Sequence, residues 1–150
     1  MPSPLFRRQR RSHPIWNYYD NFHLSRIAAL GISLEYLSKS NYGKRCLDNR
    51  SALVSALIER KVKLANMPQV SESAMFLLDY ENSPRISRRL ETSNILVDSV
   101  GRVGVNEITM RGLNPKQMDL VGEALSEGLR SNVTSAKKMV KQLVNSMIWP

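Results

Sequence analysis

The chain has 150 residues, of which 42% are hydrophobic and 23% are charged, and its net charge is +9. This length allows one domain with a hydrophobic core and excludes two well-buried ones. The single cysteine, Cys46, excludes an internal disulfide framework and a cysteine-based zinc site, and it fits a reducing compartment. No apolar run approaches the roughly 18 residues of a membrane-spanning helix, so we expect a cytoplasmic protein without a membrane partner.

Residues 1–16 form a basic segment that we expect to be a disordered tail. No acidic residue precedes Asp20, and the tail contains two early prolines, serines and no periodicity. Its stretch FRRQRR supplies four arginines, Arg7, Arg8, Arg10 and Arg11. Clustered arginines bind phosphate backbones, so nucleic-acid binding by this tail is one interpretation. The other interpretations are a plain solvated extension, binding to anionic lipid and an organelle transit segment.

Two helices are predicted after the tail. From Asp20 to Leu37 apolar residues recur at intervals of three and four, which predicts a helix with one apolar face. That face comprises Leu24, Ile27, Ala28, Leu30, Gly31, Leu34 and Leu37. The stretch SKSNYG breaks this pattern, and a second helix is predicted from Asn41 to Arg60. Its inward side chains are expected to be Leu47, Leu53, Val54, Leu57 and Ile58.

The middle of the chain has the shorter period that is typical of strands. VKLAN at 62–66 alternates, and AMFLLDY at 74–80 is a continuous apolar run of strand length. Ser83 and Pro84 then make a cap-plus-proline start for a third helix that ends near Thr92. Two further strands are predicted, from NILVD at 94–98 and from VGVNEIT at 103–109.

Two helices complete the chain. Asn114 and Pro115 repeat the cap-plus-proline start, and the helix that they begin is predicted to end at Leu129. Its inner face is expected to comprise Met118, Val121, Leu125 and Leu129. The last segment, 133–147, is amphipathic, and its apolar side predicts a core or docking face, with a membrane-surface helix as the alternative. The order α-α-β-β-α-β-β-α-α predicts an α/β fold, a small mixed or antiparallel sheet layered with helices and preceded by long helices.

The sequence contains no self-contained catalytic constellation. Its two histidines are His13 and His23, and neither lies in a pattern of metal ligands or of a nucleophile and its base. No glycine-rich phosphate loop is present. His23 opens the first predicted helix, which makes it a helix-start or interface residue, or a weak candidate for cofactor binding.

Arg102 is the residue with the most distinctive chemical setting, because it lies between two glycines and two valines in the stretch SVGRVGVNEITMRGL. A guanidinium pairs bidentately with a carboxylate, and Gly101 and Gly104 would let a ligand approach the backbone. Three interpretations stay open from the residues alone. Arg102 binds a carboxylate ligand, is an exposed strand residue, or forms an internal salt bridge with Asp98 or Glu107.

The segment SNILVDSVGRVGVNEITMRGLNPKQMDLVGEAL resembles the carboxy-terminal region of serine hydroxymethyltransferase, a pyridoxal-phosphate enzyme of fold type I. The family has an Arg-Val/Ile-Gly step at a strand and then an Ile-Thr-x-Arg-Gly segment. The matching residues are Arg102-Val103-Gly104 and Ile108-Thr109-Met110-Arg111-Gly112. HLSRIAALGISLEYL, DNRSALVSALIERKVKLAN and AMFLLDY also match, in order, two helices of the family and the first two strands of its small domain. The resemblance covers residues 17–130.

The resemblance implies that residues 17–150 are the carboxy-terminal small domain of such an enzyme. It implies that Arg102 binds the α-carboxylate of the amino-acid substrate. The implied activity is the interconversion of serine and glycine in one-carbon metabolism, or cleavage of a related β-hydroxy amino acid, with pyridoxal phosphate as cofactor.

The 150 residues also depart from the family, because they have no counterpart of its Schiff-base lysine, of the aspartate that pairs with the pyridine nitrogen, or of its large cofactor domain. We therefore expect no catalytic residue in this chain and no binding of pyridoxal phosphate by the chain alone. The expected partner is a cofactor-domain chain or a full-length homologue. The alternative is a non-catalytic module that binds nucleic acid through its tail or docks on such a homologue.

Overall fold

The computed structural model describes residues 23–65, 72–81 and 83–148. The predicted tail, residues 1–16, lies outside the described residues. The chain divides between Lys39 and Ser40 into two compact units. The elements are α1 (Leu24–Lys39), α2 (Tyr42–Glu59), β1 (Met75–Leu77), α3 (Ser83–Glu91), β2 (Arg102–Gly104), α4 (Asn106–Met110), a 3-10 turn (Pro115–Gln117), α5 (Met118–Leu129) and α6 (Val133–Ser146). The prediction of a mixed α/β fold with a small antiparallel sheet is confirmed at this level, and the described residues are mostly helical.

Helix α1 is the described element of the first unit, and the prediction of a helix here is confirmed. Alanine and leucine are strong helix formers, and Ser33 Oγ donates to the carbonyl of Ala29 at 2.8 Å. None of its residues is buried, and the apolar side chains that the sequence places on one face are exposed. The helix therefore has the predicted apolar face, and the side chains of that face are exposed.

In the second unit, the sheet has two antiparallel strands. Phe76 pairs with Val103 and Leu77 pairs with Arg102. Because side chains alternate across a strand, Phe76 and Val103 are buried, while Arg102 and Gly104 lie on the exposed face. In the described part of the strand predicted at 62–66, residues 62–65, one isolated bridge joins Leu64 to Leu78, and residue 66 lies outside the described residues.

The prediction of a strand at 94–98 is wrong, because this segment begins with the turn that ends α3 and contains no strand. Asn94 has φ +61°, and the amide of Ile95 donates back to the carbonyl of Leu90 at 3.1 Å. The carbonyl of Val97 accepts a hydrogen bond from Ser87 Oγ at 2.8 Å. These contacts use backbone groups that a strand would need for pairing with a neighbour.

The strand predicted at 103–109 ends at Gly104, because the following residues form α4. Val105 and Thr109 are both buried, and they are four residues apart, which is a helical spacing. The carbonyl of Val105 accepts from the Thr109 amide at 2.9 Å and from Thr109 Oγ1 at 2.6 Å. Local apolar alternation therefore predicts the wrong element here.

Helix α2 crosses the core, and α5 packs closely against it. A Cβ atom on Gly122 would lie 2.9 Å from Ala56 Cβ, so glycine permits this close approach. The prediction that Leu47 and Ile58 face inward is wrong, since both are exposed. Two polar residues, Asn49 and Arg50, are buried instead.

The predicted start after Asn114 is confirmed. Asn114 Oδ1 accepts from the Lys116 amide, and Gln117 Oε1 accepts from the Asn114 amide, both at 3.0 Å. These reciprocal bonds form a capping box around Pro115. The first turn is a 3-10 helix that continues into α5.

Candidate carboxylate-binding site

Arg102 is the first residue of β2, and a tight turn delivers its side chain to the exposed face of the sheet. Gly101, just before it, has φ +80°, a conformation that glycine adopts without a steric penalty. The Gly101 amide donates to the carbonyl of Asp98 at 3.1 Å, and its carbonyl accepts from the Leu78 amide at 3.0 Å. The glycine before Arg102 is therefore required by the turn.

Asp98 holds the side chain of Arg102. Its carboxylate accepts hydrogen bonds from the amides of Val100 and Arg102, at 3.1 Å and 2.8 Å, and forms an ion pair with Arg102 Nε. These interactions hold the pKa of the Asp98 carboxyl below its usual value, and the hydrogen bond from the Arg102 amide is the largest cause. Glu107, the other predicted partner, pairs with Arg111 at 2.8 Å instead. The predictions of an exposed strand residue and of a salt bridge to Asp98 are both confirmed.

The outer edge of the Arg102 guanidinium remains available for a ligand. Its side chain is 58% exposed, and only Nε is engaged by Asp98. Within the described ranges, Nη1 and Nη2 donate to no acceptor. These two nitrogens form a planar fork that matches a carboxylate end-on. Asp98 offsets the positive charge, so the fork provides more orientation than long-range attraction.

The segment after β2 is fastened to α2 by one buried amide. Asn49 Nδ2 donates to Thr109 Oγ1 and to the carbonyl of Leu113, both at 2.9 Å. Asn49 and Thr109 are fully buried. These contacts among Asn49, Thr109 and Leu113 are called the Asn49 latch below. The burial of Asn49 was not predicted, because it lies among the polar residues Asp48, Arg50 and Ser51 and no pattern in the sequence distinguishes it from them.

Two further side chains of α2 support the same segment. Tyr42 donates through its hydroxyl to the carbonyl of Asn106 at 2.9 Å, and Arg45 Nη2 donates to the carbonyl of Thr109 at 3.1 Å. Helix α4 is therefore bound to α2 at three points. Since α4 follows β2 after one residue, these bonds also fix the strand that carries Arg102.

The two arginines of the matched motifs differ in setting. Arg111 is largely covered, with its side chain 26% exposed, and its carbonyl accepts from the Ile148 amide at 2.9 Å. Gly112 has φ +90°, and a Cβ there would lie 3.0 Å from Ile148 Cδ1. In contrast, a Cβ on Gly104 would meet no other atom within 4 Å. The Arg-Gly pair at 111–112 is therefore structural, while the surface beside Arg102 is open.

His23 lies in the first unit, where it is exposed and precedes α1. Its carbonyl accepts hydrogen bonds from the amides of Arg26 and Ile27, at 2.9 Å and 3.1 Å. The helix-start interpretation is therefore confirmed, while the weak prediction of cofactor binding stays a prediction. In residues 23–65, 72–81 and 83–148, no group of three or more His, Cys, Asp or Glu residues is arranged to bind a metal ion.

None of the described lysines is placed to hold pyridoxal phosphate as a Schiff base in an enclosed pocket. All eight described lysines are exposed, whereas a Schiff-base lysine needs an enclosed pocket for the cofactor ring. Lys39 pairs with Glu35 at 2.5 Å and Lys44 pairs with Asp48 at 2.8 Å, both on helix surfaces. An apolar cavity of about 240 Å³ lies among Leu53, Val103, Leu125 and other side chains, and no lysine lines it. A second, more open pocket of about 460 Å³ is lined by Lys63 together with Asp79 and Arg89, and Lys63 is exposed there.

Comparison with known proteins identifies no family for this chain. A scan against protein families and a search of curated proteins both returned no match. The resemblance to serine hydroxymethyltransferase therefore stays a prediction that rests on the quoted motifs. Across the part of the chain that the structure describes, no helix has the length and apolar character needed to span a bilayer.

The Asn49 latch gives a first prediction about stability. Asn49→Ala removes both hydrogen bonds and leaves Thr109 and Leu113 without their donor. We expect it to lower the free energy of unfolding by about 1–3 kcal/mol, measured by urea denaturation. The control Asn145→Ala, on the exposed surface of α6, should change it by less than about 0.5 kcal/mol. Equal decreases in the free energy of unfolding for the two substitutions would show that the Asn49 latch does not stabilise the fold.

A second prediction concerns the pKa of the Asp98 carboxyl. Because this pKa is lower in the folded state, the Asp98 interactions stabilise the fold above the unfolded-state pKa and are lost as the pH falls through the folded-state pKa. In Arg102→Met the pKa should rise and still lie below its usual value, because the backbone amide of residue 102 remains as a donor. Carbon-13 NMR titration of the carboxyl measures this. A wild-type pKa at or above the usual value would refute the described geometry.

Proposed function

We propose that this chain is the carboxy-terminal small-domain part of a serine hydroxymethyltransferase-like enzyme. Its role is to bind the α-carboxylate of an amino-acid substrate through Arg102, in the interconversion of serine and glycine or the cleavage of a related β-hydroxy amino acid. One structural observation supports this role above the others. Among the described residues, Nη1 and Nη2 of Arg102 have no acceptor, and they lie on the exposed face of the sheet. Gly104, two residues later on the same strand, leaves the neighbouring surface open.

The two matched motifs support the proposal through a division of roles. Thr109 and Gly112 make the structural contacts, through the Asn49 latch and a left-handed turn. Arg102 has no comparable structural duty beyond its pair with Asp98. A chain that needed only a stable sheet would gain little from this exposed ion pair, since exposed pairs contribute little to stability.

The chemistry assigned to Arg102 is binding and orientation. A carboxylate that lies on the Nη1–Nη2 edge fixes the substrate Cα in space, and this orients the bond to be broken. Asp98 is a positioning residue, because it holds Nε and the backbone amide of Arg102 and so limits the rotation of the side chain. In the complete enzyme, pyridoxal phosphate held by the second component would supply the electron sink for bond cleavage.

The proposal requires a second component. The cofactor-binding lysine, its pocket and the pyridine-pairing aspartate must come from another polypeptide segment, because the described lysines are exposed. A separate cofactor-domain chain or a full-length homologue would meet this need. We propose that the chain is catalytically incomplete without it.

Reconstitution tests this proposal. The chain is co-expressed with the cofactor-domain segment of a related enzyme, and the purified complex is assayed for retained pyridoxal phosphate and for cleavage of a β-hydroxy amino acid. Arg102→Ala should lower kcat/KM by about 100- to 1,000-fold, since it removes a bidentate, charge-assisted contact. Arg102→Lys keeps the positive charge but loses the planar pair of donors, so its kcat/KM should lie between those of the wild type and Arg102→Ala.

The control for reconstitution is Arg88→Ala, which removes an exposed arginine of α3 and should leave the activity unchanged. An active complex that tolerates Arg102→Ala would overturn the role of Arg102. Failure of every cofactor-domain segment to form a complex would overturn the proposed function.

A second candidate function is a nucleic-acid-binding module, and the observation that favours it is the four-arginine stretch in residues 1–16. Under this alternative, deletion of residues 1–13 should abolish salt-sensitive binding of an oligonucleotide, measured by fluorescence anisotropy. Unchanged binding after the deletion would exclude the tail as the binding element. The same deletion should leave the reconstituted activity intact if the leading proposal is correct.

A further inference from the structure

Arg50 is an arginine in the interior of α2. It is only 2% exposed, and Cys46 and Val54, one helical turn away on either side, are buried as well. Charged side chains are almost never fully buried unless they are paired. Arg50 therefore requires an explanation that the exposed arginines do not.

No partner for Arg50 is present in the described parts of the chain. Its Nε and Nη2 atoms are buried and donate to no acceptor. Six ion pairs occur among the described residues, and none involves Arg50. The neighbouring Asn49 uses its Nδ2 for the latch, and its Oδ1 makes no hydrogen bond with Arg50.

The guanidinium of arginine stays charged in proteins, so the burial of Arg50 places a positive charge in the interior. A buried water could accept a hydrogen bond, but it would leave the charge without compensation. Nε and Nη2 point their N–H bonds in parallel from one side of the guanidinium, which is the side-on fork that binds two oxygens of a carboxylate or phosphate. The two orphaned atoms are thus the pair that an oxyanion would use together.

We propose that Arg50 is the anchor of an internal anion-binding site, which takes a small oxyanion on its Nε–Nη2 edge. The site is separate from Arg102 and does not depend on the proposed enzymatic function. Since the Nε–Nη2 edge of Arg50 is buried, an anion reaches it only when the surrounding structure opens locally. Bound anion should therefore suppress that opening.

Cys46 provides a probe of this opening. It is the single cysteine of the chain, it is 3% exposed, and it lies one turn before Arg50 on the same helix. A thiol reagent can modify it only when this part of α2 becomes accessible. The labelling rate of Cys46 therefore reports on the region around Arg50.

The test measures Cys46 labelling and thermal unfolding of the full chain in chloride, with inorganic phosphate or acetate added at constant ionic strength. We expect the labelling rate to fall saturably, by about 10-fold when the anion reaches ten times its dissociation constant. The comparison of phosphate with acetate shows which oxyanion the site prefers. Arg50→Met should abolish the saturable effect, whereas Arg88→Met, which removes an exposed arginine, should retain it.

Several results would overturn the proposal. One is a labelling rate that neither anion changes, and another is the same anion response in Arg50→Met, since general salt effects act on both proteins. If Arg50→Met does not fold, NMR of the Arg50 Nε–H resonance in the wild-type chain gives the answer. A saturable shift on addition of phosphate or acetate supports the site, and an unchanged resonance refutes it. The cofactor domain is absent from these assays, so their failure is distinguishable from failure of the proposed function.

Discussion

The buried amide of Asn49 is the contact on which the geometry around β2 depends. It joins α2 to residues 60 and 64 positions later in the chain, through Thr109 Oγ1 and the carbonyl of Leu113. Because the short sheet has only two strands, β2 gains little support from strand pairing alone. The Asn49 latch, together with the bonds from Tyr42 and Arg45, supplies the rigidity that the sheet lacks. A precisely placed arginine on this strand is possible only because the segment behind it is fixed.

Arg102 and Arg50 are both arginines, but they differ in exposure and in their partners. Arg102 is exposed and held on one edge by Asp98, so its orientation is restricted while its outer nitrogens still face solvent. Arg50 is buried and has no anionic partner in the described residues. The first arrangement suits a ligand that arrives from another polypeptide or from solution. The second leaves two buried donors, Nε and Nη2, that a small oxyanion could use together.

Helix periodicity and capping residues predicted most of the helices, including the start at Asn114 and Pro115, because these signals act locally. The failures occurred where local and tertiary signals compete. Val105 and Thr109 fit both a strand and a helix, and the hydrogen bonds of Thr109 decide for the helix. The salt bridge from Arg102 to Asp98 was among the predicted interpretations. The burial of Asn49 was not predictable, because its partners Thr109 and Leu113 are distant in sequence. The burial of Arg50 was not predictable either, because a charged residue is expected on the surface.

The central claim is that Arg102 binds the carboxylate of an amino-acid substrate. The most direct measurement is a crystal structure of the chain in complex with a cofactor domain, with an amino acid bound. The account predicts that Nη1 and Nη2 of Arg102 each lie about 2.7–2.9 Å from a carboxylate oxygen, with Asp98 still bound to Nε. An amino acid whose carboxylate binds elsewhere, with Arg102 directed into solvent, would contradict it.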